Sequence, residues 1–340
     1  MSSGIPPTIS SSRTESVLRH MGRCVYGGIY DPGNTNGLID ENGFRTDVIE
    51  AMKELQVPIV RYPGGNFTAT YRWLDGVGPK EQRPKRVEVA WKGVETNHFG
   101  TDKFMKWCDF IGAEPYLALN MGTGTLEEGG NLLILLATTA LAWVEYCNLD
   151  TDTHYANIQK QNGHTKPYGV KYWALGNEVW GPWSVHEDMC IFLYNSMLMS
   201  KKRQVEQSSK EDYAKKAYQW RKALKLLDPN IKLVLCGKDG HSDWDRYVLQ
   251  ECLKITDLRS IHIYTFDIQH YPNATSPKSA ERAIGITAAL IDLARTEMDY
   301  ETFPHFLTKP KTPHRPKISF DEWNIWNPIR APGDKGAEEQ

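Results

Sequence analysis

The sequence is poor in the features that mark several large classes of protein. Its six cysteines are scattered over 340 residues, and none forms a CxxC pair or shows the spacing of a zinc site. Such a distribution is typical of reduced or buried thiols and not of a disulfide framework. The predicted strands also have no phosphate loop or dinucleotide fingerprint beside them. We therefore expect neither a metal nor a cofactor.

The net charge is small, and the apolar runs are short. The formal net charge is -2 and no long basic run is present, which argues against nucleic acid as a partner. Residues 1–20 are rich in Ser, Thr and Pro and lack the apolar core of a signal peptide. We predict an irregular N-terminal segment there, and the compartment stays open between intracellular and secreted. The apolar run within residues 129–139 is too short to span a bilayer, so no membrane partner is expected.

What the chain does have, from Gly22 onward, is an alternation of strand-like and helix-like segments. The predicted strands are Cys24–Tyr30, Val57–Tyr62, Pro115–Asn120, Val170–Leu175, Lys232–Cys236, Ser260–Tyr264 and Lys317–Phe320. The predicted helices between them include Gly43–Leu55, Thr101–Ile111, Glu211–Leu227, Asp243–Leu253 and Ala280–Leu293. Such an alternation predicts a parallel sheet covered by helices. We favour a (β/α)8 barrel, with a doubly wound open sheet as the alternative.

Polar residues follow or close most of these strands. Glu178 comes shortly after the apolar run Tyr172–Leu175, and Glu322 follows the strand Lys317–Phe320. The carboxyl ends of barrel strands meet at one mouth, where barrel enzymes hold their catalytic residues. The two carboxylates are therefore predicted to lie about 5 Å apart, the spacing of a retaining glycosidase pair. For either glutamate alone, a helix start or a solvent-exposed position is the competing interpretation.

Two further groups of residues bear on the site. The histidines His98, His241 and His262 show no pairwise metal-ligand spacing, so we predict hydrogen-bonding roles for them and no metal site. The chain contains 11 Trp and 16 Tyr, residues that combine an apolar face with a polar edge. This content suits sugar binding, although core packing explains it equally well.

The motifs, in this order, resemble the fungal-type α-L-arabinofuranosidases of glycoside hydrolase family 51. The resemblance covers roughly residues 20 to 340 and is carried by the runs Met21–Tyr30, Arg61–Asn66, Gly78–Pro84, Gly176–Trp183, Asp239–Trp244 and Asp321–Asn324. It implies retaining hydrolysis of terminal, non-reducing α-L-arabinofuranosyl residues in glycans such as arabinan and arabinoxylan.

The resemblance also implies roles for individual residues. Glu178 matches the family's acid/base and Glu322 its nucleophile, and the implied sugar contacts are Arg61, Asn66, Asn177 and Tyr264. On physical grounds Tyr264 can hydrogen-bond the nucleophile and keep it ionised, whereas burial and a charged partner favour a protonated Glu178. Asn177 can donate to a sugar hydroxyl as positive charge develops on the ring. Taken singly, Arg61, Asn66 and Tyr264 are each open to an ordinary structural role.

The chain departs from the family's pattern in three places. The family usually carries a Phe-x-Glu-His run before the first strand, whose Glu contacts the sugar, but here the matching residues are Leu18-Arg19-His20. Residues 129–139 and 186–205 interrupt otherwise continuous motifs and are interpreted as insertions. The family continues into an eighth strand, its helix and a C-terminal β-sandwich. We therefore expect residues 21–340 to form a catalytic barrel with seven visible strands, incomplete at its C-terminus.

Three functional interpretations remain at this stage. The first is an α-L-arabinofuranosidase that acts on arabinofuranosyl-containing glycans, with a homo-oligomer as a possible assembly. The second is another retaining barrel glycosidase of the same clan, such as an endo-acting β-glycanase, because the two-glutamate chemistry is shared. The third is a non-catalytic chain that at most binds sugar. Hydrolysis of a nitrophenyl α-L-arabinofuranoside would separate them.

Overall fold

A parallel sheet forms the framework of the protein. The computed structural model describes residues 15–19, 23–91, 93–125, 140–181, 208–265, 277–302 and 314–325. The two predicted insertions, 129–139 and 186–205, lie outside these ranges. The strands of the sheet are β1 (Glu15–Arg19), β2 (Ile59–Gly64), β5 (Glu114–Leu119), β6 (Tyr172–Leu175), β7 (Lys232–Leu235), β8 (Leu258–Thr265) and β9 (Lys317–Ile325). A separate antiparallel hairpin consists of β3 (Arg86–Glu88) and β4 (Gly93–Glu95).

The sheet is parallel throughout and curls towards a closed barrel. Its strands pair in the order β1-β2-β5-β6-β7-β8-β9. The two edge strands β1 and β9 approach each other, with Cα atoms within 8 Å. An eighth barrel strand is absent from the described residues. The architecture is thus an incomplete (β/α)8 barrel, and this prediction is confirmed.

Helices cover the outside of the sheet. They are α1 (Thr46–Glu54), α2 (Thr101–Ile111), α3 (Ala140–Asn148), α4 (His154–Gln161), α5 (Lys210–Leu227), α6 (Asp243–Cys252) and α7 (Pro277–Thr302). Local sequence fixes several of their ends. Ser242 and Asp245 form a reciprocal capping box at the start of α6, and Gly112 ends α2 with a φ of 71°. None of the helices within the described ranges has the length and apolarity needed to cross a membrane.

Side chains alternate between the two faces of the sheet along each strand, so the core has two layers. One face of the sheet packs against the helices through large residues such as Tyr62, Leu117 and Trp173. The alternate positions point into the barrel, where a small apolar cluster fills its lower part: Ile59, Tyr116, Ala118, Ala174 and Val234. Arg61 shares the inner face with Ile59 because it lies two residues further along β2. Inner residues beyond this cluster therefore meet at the mouth of the barrel.

The first predicted strand was wrong. The structure places β1 at Glu15–Arg19, inside the segment that was predicted to be irregular, and pairs it in parallel with β2. Residues 23–30 instead fold back in tight turns, in which Gly27 donates to the carbonyl oxygen of Tyr30 at 3.0 Å. Gly27 has a φ of 80°, and a Cβ on Gly28 would lie 2.0 Å from the carbonyl oxygen of Arg23. Two adjacent glycines therefore permit a chain reversal where a strand was predicted.

The other strands lie where they were predicted, with shifted ends. The largest shift is at β9, which continues through Glu322 to Ile325 and does not give way to a loop after Phe320. Helices α3 and α4 and the β3–β4 hairpin were not predicted. The apolar pattern of α3 follows directly on the residues 126–139, which obscure its start in the sequence.

Tyr213 of α5 ties the ends of two barrel strands together. Its hydroxyl donates to the carbonyl oxygen of Leu175 at 2.9 Å and accepts from the backbone N–H of Cys236 at 2.8 Å. Replacing Tyr213 by Phe leaves this buried N–H without that acceptor, so we expect a loss of about 1 to 3 kcal/mol in the free energy of unfolding. In urea denaturation, the variant should unfold at a lower midpoint, and the dependence of its unfolding free energy on urea concentration should be unchanged. Tyr218→Phe, at an exposed position of the same helix, is the matched control, and equal midpoints for the two variants would contradict the expectation.

Candidate active site

Glu178 stands in a tight turn just beyond the end of β6. Gly176 has a φ of 84° and Glu178 itself a φ of 44°, in the left-handed region that non-glycine residues rarely occupy. The turn is closed by a hydrogen bond from the N–H of Gly181 to the carbonyl oxygen of Glu178 at 2.8 Å. The indole N–H of Trp180 donates to the carbonyl oxygen of Gly237 at 2.9 Å and so fastens the turn to the end of β7. Strained backbone of this kind is typical of functional sites.

A β-bulge in β9 aims two adjacent carboxylates into the barrel. Ile261 of β8 pairs with Phe320, but the next residue, His262, pairs with Glu322, so Asp321 is the extra residue. In a regular strand Asp321 and Glu322 would point to opposite faces of the sheet. Here both are buried, whereas the following Trp323 is 56% exposed. The bulge explains why Glu322 can act at the mouth although it lies within a strand.

Arg61 reaches both carboxylates from β2. Its Nη2 atom lies 2.5 Å from Glu322 Oε2, and its Nη1 atom lies 3.6 Å from Asp321 Oδ2. All three side chains are buried. The guanidinium therefore neutralises charge that burial would otherwise make costly, and it fixes the position of Glu322.

Three alternate residues of β8 complete the inner wall. Ser260 donates to Asp321 Oδ1 at 2.6 Å, and the hydroxyl of Tyr264 donates to Glu322 Oε1 at 2.7 Å. Between them, His262 Nδ1 lies 3.0 Å from Glu178 Oε1 and 3.7 Å from Glu322 Oε2. The predicted hydrogen bond from Tyr264 to the nucleophile candidate is thus present.

His262 is held as a cation. Burial alone lowers the pKa of its imidazole, but the charge of Glu322 and the contacts with Asp321 and Glu178 outweigh burial and raise this pKa to about 10. The Nε2 atom lies 3.3 Å from Asp321 Oδ1, and this contact is an ion pair because the N–H is poorly aligned for a hydrogen bond. The protonated ring thus stands among three carboxylates.

The two glutamates lie close together, as the carboxyl pair of a retaining glycosidase does. A carboxylate oxygen of Glu178 and one of Glu322 lie within 4.8 Å of each other. Retaining enzymes hold their two carboxyl groups about 5 to 5.5 Å apart, whereas inverting enzymes leave room for a water between them. The geometry therefore suits direct attack by one carboxylate on a sugar whose leaving oxygen is protonated by the other.

Two asparagines present unsatisfied amide groups. The Oδ1 atom of Asn66 and both amide atoms of Asn177 are buried and find no hydrogen-bond partner among the described residues. Buried polar atoms are nearly always paired, and sugar hydroxyls are suitable partners. Asn177 precedes Glu178 directly, and Asn66 lies just beyond β2. Both positions agree with the predicted sugar contacts, whose roles stay predictions.

Sequence reasoning missed Asp321 and left the role of His262 general. Asp321 is fully buried and accepts from Tyr116 at 3.0 Å in addition to Ser260. Although burial opposes it, the charges of Arg61 and His262 hold the pKa of Asp321 below its usual range. The alternation of Ser260, His262 and Tyr264 was a usable signal, because residues two apart on a strand share one face. No local signal marked the bulge that brings Asp321 inside.

The same residues are poor candidates for a metal site. The ligand atoms of Glu178, His262 and Glu322 lie close enough to hold an ion. However, a metal-binding imidazole must be neutral at its ligating nitrogen, whereas His262 Nδ1 lies 3.0 Å from an oxygen of Glu178 and 3.7 Å from one of Glu322, contacts that favour its charged form. Arg61 also occupies one oxygen of Glu322. The donor set therefore fits an ion-pair network better than a metal centre.

Known proteins are similar to this chain in sequence and in fold. The family model for the alpha-L-arabinofuranosidase 1 domain matches residues 51–189. Alpha-L-arabinofuranosidase C of Emericella nidulans is 57% identical, with 94% of this chain and 58% of the relative covered. The probable alpha-L-arabinofuranosidase C of Aspergillus fumigatus is 55% identical, with 99% of this chain and 60% of the relative covered. The solved GH51 alpha-L-arabinofuranosidase of Thermotoga petrophila is 40% identical with a TM-score of 0.73, and 93% of this chain and 56% of that chain are covered.

Over nearly its whole length the chain is similar to alpha-L-arabinofuranosidases, including a GH51 enzyme of known structure. It spans 60% or less of the length of these relatives. The similarity therefore concerns the barrel and the motifs around its mouth.

The raised pKa of His262 makes stability depend on pH. Because the folded-state pKa of about 10 exceeds the ordinary value of 6.5, the stabilisation is fully present below about pH 6.5 and is lost as pH rises through about 10. We expect the difference in the free energy of unfolding between wild type and His262→Gln to shrink over this range in urea titrations. His154→Gln, at an exposed position of α4, controls for the substitution itself. A difference independent of pH would contradict a charged His262.

Proposed function

We propose that the protein is a retaining α-L-arabinofuranosidase that removes terminal, non-reducing arabinofuranosyl residues from glycans such as arabinan and arabinoxylan. The observation that carries this proposal is the buried pair Glu178 and Glu322, with carboxylate oxygens within 4.8 Å. The similar proteins are named alpha-L-arabinofuranosidases, which supports the choice of sugar.

The proposed reaction has two half-reactions. In the first, Glu322 attacks the anomeric carbon, the bond to the leaving oxygen breaks, and the proton of Glu178 passes to that oxygen. In the second, water attacks the same carbon and gives its proton to Glu178, and the ester bond breaks to return the Glu322 carboxylate. Glu178 therefore acts first as an acid and then as a base.

The surrounding residues suit these steps. Arg61 and Tyr264 each bind a different oxygen of Glu322, which orients the carboxylate for attack and limits its rotation. The unsatisfied amides of Asn66 and Asn177 are available for sugar hydroxyls. Hydrogen bonds of this kind contribute most when they strengthen as the oxocarbenium-like transition state forms.

A second retaining glycosidase activity is the main competing function. The two-glutamate chemistry does not choose the sugar, so an endo-acting β-glycanase would use the same pair. Comparing turnover of nitrophenyl α-L-arabinofuranoside with turnover of a nitrophenyl β-xylobioside distinguishes the two. Turnover of the xylobioside alone would reject the arabinofuranosidase proposal, and turnover of neither would favour a chain that at most binds sugar.

A homo-oligomer is part of the proposal and has one supporting observation. Val87 and Val94 pair directly across the β3–β4 hairpin and are 77% and 66% exposed. An apolar cross-strand pair that faces solvent is suited to burial against another copy. Sedimentation velocity of the wild type and of Val87→Thr would test this, and a monomer at all concentrations would reject it.

Replacing the two glutamates should have different kinetic effects. Glu322→Ala should abolish turnover of all arabinofuranosides because no covalent intermediate can form. Glu178→Ala should reduce turnover of substrates with poor leaving groups by about 100- to 10,000-fold, the usual contribution of general acid catalysis. Glycosylation by dinitrophenyl arabinofuranoside should be far less affected, since this leaving group departs without protonation.

The measurements are kcat and kcat/KM for a series of aryl arabinofuranosides of increasing leaving-group pKa. Glu50→Ala, at an exposed position of α1, is the matched control and should behave like the wild type. Near-wild-type activity of Glu322→Ala, or a uniform loss across the series for Glu178→Ala, would overturn the assignment of roles.

A further inference from the structure

The mouth of the barrel contains more charged groups than the two-glutamate mechanism uses. Asp321 is a third carboxylate, it is fully buried, and it lies on the bulge beside the proposed nucleophile. Arg61 and His262 are the two buried cations that face these carboxylates. Burying an extra charge is costly unless the charge is paired. The contacts that Asp321 makes with these cations therefore indicate what it does in the site.

The two nitrogens of His262 face different kinds of partner. Nδ1 lies between the catalytic pair, 3.0 Å from Glu178 and 3.7 Å from Glu322. Nε2 faces Asp321 at 3.3 Å on the opposite side of the ring. One nitrogen therefore meets groups whose charge changes during the proposed reaction, whereas the other meets a carboxylate that takes no part in it.

We propose that Asp321 is a positioning residue that holds His262 as a cation between the two catalytic carboxylates. In the free enzyme the Nδ1–H of His262 donates to Glu178 Oε1 at 3.0 Å, and its charge faces Glu322 Oε2 at 3.7 Å. The imidazolium is therefore close to whichever of the two glutamates is ionised in each half-reaction. This inference rests on the proposed retaining mechanism. It adds a role for two residues that neither attack the sugar nor protonate the leaving group.

Charge counting supports the arrangement. In the resting enzyme the proposed mechanism requires a protonated Glu178 and an ionised Glu322. In the glycosyl-enzyme Glu322 is an uncharged ester and Glu178 is ionised. The two cations and Asp321 sum to one positive charge, which balances the single negative charge of the pair in both states. The buried site thus stays neutral while the negative charge moves from one glutamate to the other.

Asp321 is well built for a constant charge. Ser260 donates to its Oδ1 atom and Tyr116 to its Oδ2 atom, so the carboxylate is fixed in place before the reaction begins. Fixed groups that meet developing charge need no reorganisation during the reaction, which is why such preorganisation lowers barriers.

Several titratable and charged groups surround His262 and its carboxylate partners. They are Arg61 of β2, Tyr116 of β5, Glu178 after β6, Cys236 after β7, Tyr264 of β8, and Asp321 and Glu322 of β9. Replacing Asp321 by Asn removes one negative charge from this set and keeps the shape of the side chain. The matched controls are Ser260→Ala and Tyr116→Phe, which each remove one hydrogen bond to Asp321 and leave its charge.

The first readout is the NMR titration of His262 in the full chain labelled at histidine Cε1. In the wild type and both controls, His262 should stay protonated between about pH 6 and about pH 9, whereas in Asp321→Asn it should lose its proton within this range. Removing Asp321 should also lower kcat for arabinofuranosides on the order of 100-fold, the effect of losing one preorganised electrostatic contact. The controls should lose less than about tenfold, as expected for one hydrogen bond.

A second readout uses only the wild type, in case Asp321→Asn does not fold. The glycosyl-enzyme is trapped with a dinitrophenyl 2-deoxy-2-fluoro-α-L-arabinofuranoside, and the ¹⁵N resonances of His262 are compared with those of the free enzyme. The Nδ1 resonance should shift because its acceptor Glu178 becomes ionised and the nearby Glu322 loses its charge, and the Nε2 resonance should stay in place.

The outcomes separate the two proposals. An active wild type in which Asp321→Asn leaves the His262 titration unchanged, or in which trapping deprotonates His262 or leaves Nδ1 unmoved, overturns the role of Asp321 and His262. A wild type without turnover and without trapping overturns the proposed function. The titrations of the wild type and Asp321→Asn would still report whether Asp321 holds the imidazolium.

Discussion

The structure around the mouth depends on the balance between two buried cations and the carboxylates they hold. Arg61 binds Glu322 and approaches Asp321, and His262 lies between all three carboxylates. Without these cations, ionised carboxylates this close would repel one another and would be costly to bury. The cost of burying them is offset by contacts from β2, β5, β8 and β9 together, so the site exists only when those strands form one sheet.

Barrel geometry supplies those contacts by simple rules. Alternation along each strand sends one set of side chains to the helices and the other into the barrel, and the inner set changes from apolar to polar towards the mouth. Two local irregularities refine this pattern. A bulge brings Asp321 inside beside Glu322, and a turn with left-handed backbone places Glu178 within 4.8 Å of Glu322. The bulge and the turn therefore position the carboxylates of the site within an otherwise regular barrel.

Much of this could be predicted from the sequence, and the limits have physical causes. Strands β2, β5, β6, β7, β8 and β9 were found from short runs of strand-forming residues. The convergence of Glu178 and Glu322 followed from the rule that barrel strand ends meet. The first strand was misplaced because strand propensity in residues 24–30 is overridden by glycines that turn the chain back. Asp321 was missed because a bulge depends on pairing with β8, which local sequence does not encode.

The stereochemistry of the first-formed product tests the central claim most directly. Two carboxylates this close leave little room for water to attack from the opposite face, so the proposed reaction passes through a covalent intermediate on Glu322. Proton NMR, recorded in the first minutes of hydrolysis of nitrophenyl α-L-arabinofuranoside, should show the α-anomer of arabinose before mutarotation produces the β-anomer. Initial release of the β-anomer would mean single displacement with inversion and would contradict the roles given to Glu178 and Glu322.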